Sequence, residues 1–127
     1  MNIKTNSNMI TEDYVSFETA KLLKEKGFNE MTELAYGLEN GNIRSDLPVS
    51  YWRNSEIGEY KFSCPTIQMA MKWLREVHHI TIGITFRLGI ITYEIQKDEE
   101  VITAISAGRS YEDMVEEAIK LCLENLL

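Results

Sequence analysis

The sequence predicts an α+β fold: an antiparallel sheet, made of a three-stranded meander plus an N-terminal hairpin, with about three helices. Two observations predict its core. A capped amphipathic helix passes directly into an alternating strand between Ser63 and Leu88. Two further apolar strands follow after short turns, and a second amphipathic helix ends the chain. The order of this core is therefore helix, three strands, helix.

The length of 127 residues is typical of one domain. Residues 1–12 are polar and predict a flexible arm, which leaves residues 13–127 as a single α+β domain. The arm lacks the apolar centre of a signal peptide, and no apolar run approaches a membrane span. Cys64 and Cys122 belong to no paired cysteine motif, so we expect both to be reduced and partly buried thiols. We expect a cytoplasmic protein.

The first helix is predicted over Phe17–Lys26. Ser16 precedes it with a side-chain oxygen that suits the N-cap position. Val15 and Ala20 stand where a hydrophobic staple would form. Gly27 follows the last turn, where a left-handed residue often ends a helix. These signals give both ends of the element.

The hairpin is predicted from alternating apolar residues that precede the pair Asn40-Gly41, because Asn-Gly favours a two-residue turn. The returning arm ends at Ser45 and is short and polar. Leu47–Ser55 contains a proline and predicts a loop. Ile57–Phe62 predicts a short strand.

The central helix is expected to begin at Pro65, whose missing N–H is harmless at a first helical position. Ser63 or Cys64 would lie near its cap, and Ser63 is the better oxygen acceptor. Its apolar face follows helical spacing and comprises Ile67, Ala70, Met71, Leu74, Val77 and His78, widened by Met69 and Trp73. No turn residues separate this helix from the strand that begins at Ile80. The chain must therefore reverse sharply at His78-His79.

The remaining strands are separated by turns at Leu88–Ile90 and Lys97–Glu100, which are too short for helical crossovers and so predict an antiparallel meander. The last helix begins with a capping box formed by Ser110 and Asp113. Its outer face is acidic, and Glu116 with Lys120 makes the i, i+4 spacing of an ion pair.

The charge balance is acidic, with 13 Lys and Arg against 20 Asp and Glu and a formal net charge of −7. Surfaces that bind phosphate groups usually carry a basic excess, so we do not expect a nucleic-acid partner. An acidic surface favours solubility or a basic protein partner.

Chemical signatures are absent from the sequence. It contains no G-x-S-x-G, no P-loop and no G-x-G-x-x-G. The two histidines are adjacent, and neighbouring helical side chains point about 100° apart, which does not chelate one ion well. We interpret His78 and His79 as the exit of the helix, and we expect no catalytic, cofactor or metal site.

Two surfaces are candidates for partner contact. The first is the loop cluster of Tyr51, Trp52 and Arg53, which would serve as a contact anchor; the alternative, which we favour, is that Trp52 folds onto the sheet as a lid. The second is the acidic face of the last helix, formed by Glu112, Asp113, Glu116 and Glu117.

Three stretches, Tyr14–Phe28, Cys64–Ile80 and Ser110–Leu127, together resemble a family of small uncharacterised proteins from gut-bacterial genomes and prophages. That resemblance implies an accessory protein of phage or mobile-element origin and transfers no activity. The last strand and helix are also similar to the C-terminal part of HicB-type antitoxins.

The helix, three strands, helix order is also that of double-stranded RNA-binding domains. Those domains carry basic residues at the start of the last helix, where this chain is acidic, so the charge argues against RNA binding.

Three function classes follow. The first is a small non-enzymatic interaction protein that could also form homo-oligomers. The second is an antitoxin or immunity-type inhibitor that masks a basic nuclease with its acidic face. The third is an enzyme of unrecognised type, which would need carboxylates converging on His78 or His79.

Overall fold

The computed structural model describes residues 10–127, except for the side chains of Asp46, Val49, Ser50 and Tyr51. Most of the predicted arm therefore lies outside the described residues. The described elements are, in chain order, α1 (Phe17–Glu25), β1 (Thr32–Glu39), β2 (Asn42–Trp52), β3 (Lys61–Ser63), α2 (Ile67–His78), β4 (Ile80–Arg87), β5 (Ile90–Lys97), β6 (Glu100–Ala107) and α3 (Tyr111–Asn125). The α+β class and the core order α2-β4-β5-β6-α3 are confirmed.

The strands form two antiparallel sheets of three strands each, in the orders β4-β5-β6 and β2-β1-β3. The first is the predicted meander, which keeps a regular register throughout. The second contains the predicted hairpin. This hairpin does not extend the meander, because the free side of β1 pairs with β3 instead. Since β3 leads directly into α2, the second sheet sits beside that helix.

The core lies between one face of the meander and the helices α2 and α3. Alternation along β4 and β5 directs every second side chain to that face, where Ile80, Ile82, Ile91, Tyr93 and Ile95 are buried. The helix α1 packs against α3 and β3 and thereby closes the same core.

The predicted turns and the ends of α1 are confirmed. Asn40 and Gly41 adopt left-handed φ angles of 50° and 80°, as a two-residue hairpin turn requires. The Ser16 side chain caps α1 by accepting a hydrogen bond from the Thr19 N–H. At the other end Gly27 is left-handed and the Phe28 N–H donates to the Leu23 carbonyl at 2.8 Å.

The prediction of a loop over Leu47–Ser55 is wrong, because β2 continues to Trp52. Pro48 lies opposite Leu34 on an edge strand, where a missing N–H costs no hydrogen bond to a further neighbour. Register shifts on both sides of that pair absorb the irregularity. The strand predicted over Ile57–Phe62 is also shorter than expected, because only Lys61 and Phe62 of that range belong to a strand, β3.

The predicted cap of α2 is also wrong by three residues. Thr66 is the N-cap, and its hydroxyl accepts a hydrogen bond from the Met69 N–H. Ser63 instead belongs to β3, opposite Ala35. Pro65 lies just before the cap, where its carbonyl accepts a hydrogen bond from the Val15 N–H. The chain before α1 thus fixes where α2 begins.

The predicted reversal after α2 is confirmed. His79 is left-handed, with φ 58° and ψ 36°, and its N–H donates to the Leu74 carbonyl. One left-handed residue therefore ends the helix and starts β4. Cys64 and Cys122 are both buried, and the Cys64 thiol donates to the Val15 carbonyl at 3.6 Å.

Candidate functional site

An apolar groove lies between the start of β1 and the outer side of α2, and we call it the methionine groove. It consists of two cavities of about 400 and about 250 Å³ that share Met31 and Met69 in their walls. Met31 precedes β1 and Met69 lies in the first turn of α2. Their side chains are 45% and 38% exposed, which is high for such apolar groups.

The helix side of the groove follows from helical spacing. Met69, Trp73 and Val77 are four residues apart and share one side of α2. The buried face of the helix packs on the core through residues such as Leu74, so this row lies at the edge of the core rather than inside it. Val77 is exposed although its pattern predicts burial.

Trp73 lines the groove and is itself only 6% exposed. Its ring makes edge contacts with Phe28 at 5.4 Å and with His78 at 4.6 Å between centroids. These contacts hold the indole from two sides. The groove therefore has a fixed aromatic base beneath two flexible thioether side chains, and flexible methionines adapt to different apolar shapes.

The rim of the groove carries more negative than positive charge. The carboxylates that line its two cavities are Glu12, Glu30, Glu33 and Glu76, against the cations Arg53 and Lys72. A third cavity, of about 300 Å³, shares Glu12 and extends the acidic lining to Asp13 and Glu112. The groove thus combines apolar walls with an acidic border.

His78 lies next to the groove base, where its ring contacts Trp73. Its Nε2 atom is buried and has no hydrogen-bond partner within the described part of the chain. Burial, followed by the nearby charges of Lys97 and His79, lowers the pKa of His78 below its ordinary value. The buried Nε2 atom and the ring contact with Trp73 give His78 a structural role at the end of α2.

The residues of the predicted loop cluster, Tyr51 to Arg53, have different surroundings in the structure. Trp52 is 52% exposed, so the interpretation of a lid is wrong. It stands at the end of the edge strand β2, opposite Thr32 of β1. Arg53 reaches the groove wall. The side chain of Tyr51 lies outside the described residues.

The predicted acidic face of α3 is largely occupied by the protein itself. Glu116 accepts hydrogen bonds from the Ser16 N–H, the Ser16 hydroxyl and the Thr19 hydroxyl. Lys120 forms its ion pair with Glu18 at 3.6 Å, so the pair predicted between Glu116 and Lys120 is replaced.

Glu117 also accepts hydrogen bonds from within the protein, from a residue of β5 and from a residue between β6 and α3. The Arg109 guanidinium donates to it at 2.5 Å and the Tyr93 hydroxyl at 3.0 Å. The hydrogen bond from Arg109 is the main reason that the pKa of Glu117 is lowered. The predicted acidic face is therefore reduced to Glu112 and Asp113, of which Glu112 lines the third cavity.

The sequence reasoning missed Met31, Met69 and Val77 as surface residues. The only indication in the sequence was the width of the apolar face of α2, which is broader than packing against a single neighbouring element would bury. Nothing in the sequence indicated that Met31 would lie across from it.

Within residues 10–127, no three His, Cys, Asp or Glu side chains converge as a metal site would require. Among the helices of the same range, none has the length and apolar character needed to cross a bilayer. Comparison with family models, with curated proteins and with solved structures finds no match to this chain. The two family resemblances stay predictions.

Proposed function

We propose that this protein is a small protein-binding module whose methionine groove holds a basic segment of a partner protein, anchored by apolar side chains. The observation that carries this proposal is the pair Met31 and Met69, two exposed thioethers that share the walls of adjoining cavities above Trp73. Apolar pockets with a polar border are typical of helix-in-groove and peptide recognition.

The partner's charge is inferred from the rim. Carboxylates outnumber cations along the groove and its extension, and the whole chain carries a net charge of −7. Lysine or arginine side chains on the partner would face this border, which would steer association and set orientation. Arg53 and Lys72 occupy one cavity only, so a single acidic residue at that end of the segment would fit.

A second candidate function, favoured by the same acidic border, is an antitoxin or immunity-type inhibitor that masks a basic nuclease. The masking surface would be the groove rather than α3, because Glu116 and Glu117 are engaged inside the protein. We place either module in the cytoplasm, since neither Cys64 nor Cys122 belongs to a disulfide. A mobile-element origin is part of the same proposal.

The test uses two synthetic amphipathic peptides of equal length, one of leucine and lysine and one of leucine and glutamate, with affinities measured by calorimetry. We expect the lysine peptide to bind more tightly and to weaken as salt rises. Met31→Lys should reduce its affinity about tenfold or more, because it replaces a central apolar contact with a like charge.

The matched control is Ile43→Lys, which changes an exposed apolar residue of β2 outside the groove and should leave the affinity unchanged. Equal binding of the two peptides, or equal losses in both variants, would contradict the proposal. A nuclease partner would further require that an isolated basic toxin lose activity on binding the wild-type protein and keep it with Met31→Lys.

A further inference from the structure

The strand β6 forms an open edge of the meander. Within residues 10–127 it pairs with β5 on one side only, and none of its eight residues is buried. No described helix packs on it to the extent that α2 and α3 pack on β4 and β5. Val101 and Ile105 are 53% and 70% exposed on its outer face. Such an uncovered apolar edge is a template for another strand.

The free hydrogen-bonding groups of β6 can be assigned from its register. Lys97 and Glu100 close a two-residue turn, so they form the first hydrogen-bonded pair of the β5-β6 hairpin. In an antiparallel ladder hydrogen-bonded and non-hydrogen-bonded pairs alternate. Val101, Thr103, Ile105 and Ala107 therefore direct their N–H and C=O groups away from β5, toward the open edge.

The other sheet edges carry features that hinder pairing. On β2, Pro48 and register shifts interrupt the edge. The strand β3 has only three residues and packs against α1. The strand β4, the other edge of the meander, contacts both α2 and α3, and Gly83 in its middle offers no side chain to a further strand. In contrast, β6 has no proline, no lysine and no bulge, and its only charged residue is Glu100 at its first position.

We propose that β6 pairs antiparallel with β6 of a second copy of this chain, around a two-fold axis at Thr103, to form a continuous six-stranded sheet. Thr103 would then lie opposite its own copy, and Val101 opposite Ile105 of the other chain in two equivalent places. The three hydrogen-bonded pairs centred on Thr103 would supply about six backbone hydrogen bonds.

Side chains and charges support a second copy as the occupant. The most exposed apolar residues of β6, Val101 and Ile105, cover each other across the axis, and β-branched cross-strand pairs stabilise a ladder. Glu100, the only charged residue of β6, would lie opposite Ser106 of the other chain, so no like charges face each other in the ladder. Each of these contacts occurs twice, as a two-fold axis requires.

The first measurement is the solution mass by light scattering from micromolar to near-millimolar concentration. We expect about twice the chain mass of 14.7 kDa. The Ile105→Lys variant should give the monomer mass and an unchanged circular dichroism spectrum, since the residue makes no core contact. Ile43→Lys, an exposed change on β2, should stay dimeric.

The second measurement tests the register. Hydrogen-bonded opposite residues have Cα atoms about 5.5 Å apart, within the range that a disulfide spans. The Thr103→Cys variant should form a disulfide-linked dimer on mild oxidation, because the two native cysteines are buried. Ile43→Cys should not. A monomer mass at every concentration, or a dimer that Ile105→Lys leaves intact, would overturn the proposal.

Discussion

Glu116 of α3 accepts hydrogen bonds from both the backbone N–H and the hydroxyl of Ser16, at 3.0 and 3.1 Å. Ser16 is the N-cap of α1, one hundred positions earlier in the chain. The carboxylate therefore lies at the positive end of the α1 dipole, where negative charge is stabilising. The helical pattern predicts that Glu116 belongs to an exposed acidic face, but in the structure it links α1 to α3.

We expect Glu116→Gln to lower the free energy of unfolding by about 1–3 kcal/mol, since a half-buried charged acceptor with several donors is lost. Urea unfolding measures this change. Glu124→Gln on the same helix is the control, because Glu124 is exposed, and its effect should stay within about 0.5 kcal/mol. Equal effects of the two changes would contradict the assigned role of Glu116.

Trp73 and Trp52 form a natural comparison of buried and exposed indoles. Trp73→Ala should destabilise the fold by about 3–5 kcal/mol, because it removes a buried ring that packs on Phe28 and His78. Trp52→Ala should cost less than about 1 kcal/mol, since half of that side chain is exposed. Chemical denaturation of the two variants checks the contrast, and a small effect at Trp73 would show that the ring is not core.

Tyr93 should ionise at a higher pH than an ordinary tyrosine. Burial first, and then its hydrogen bond to Glu117, raises the pKa of Tyr93 to about 12. The folded pKa is raised, so this contribution to stability is complete below the unfolded value of about 10 and is lost as pH rises through about 12. Ultraviolet titration of the native protein should show a late phase that is missing in Tyr93→Phe.

Glu117 should make a small contribution to acid stability. Its hydrogen bond from Arg109 lowers the pKa of Glu117 in the folded state, so the contribution is present at neutral pH and is lost as pH falls through that lowered value. Because both side chains are partly exposed, the loss in Glu117→Gln should be at most about 1 kcal/mol at pH 7. Unfolding curves of wild type and variant should converge in acid, and a constant difference at all pH values would argue against this linkage.

The elements that the sequence predicts well are those defined by local signals. Ser16, Gly27 and the Asn40-Gly41 turn each act within a few residues, and all three adopt the expected geometry. The extent of β2 could not be predicted, because Pro48 argues locally against a strand and is tolerated only where β2 becomes an edge. The cap of α2 likewise depends on the chain before α1, far away in sequence.

The candidate site was less predictable than the fold. Met31 and Met69 are separated by a hairpin and β3, and only the packing of the second sheet beside α2 brings them to one groove. Glu116 looks exposed in a helical pattern because its partner, Ser16, lies at the start of α1, a hundred positions earlier. Glu117 is engaged by Arg109, just before α3, and by Tyr93 of β5. Long-range contacts of this kind leave no periodic trace in the sequence.

The most direct test of the methionine groove is methyl NMR of the protein labelled at its methionine methyl groups, titrated with the leucine–lysine peptide. We expect the signals of Met31 and Met69 to shift together and to saturate, while that of buried Met114 stays in place. The leucine–glutamate peptide should cause much smaller shifts. No shift at Met31 and Met69 with the lysine peptide, or equal shifts with both peptides, would contradict the proposal that the groove holds a basic, apolar-anchored partner segment.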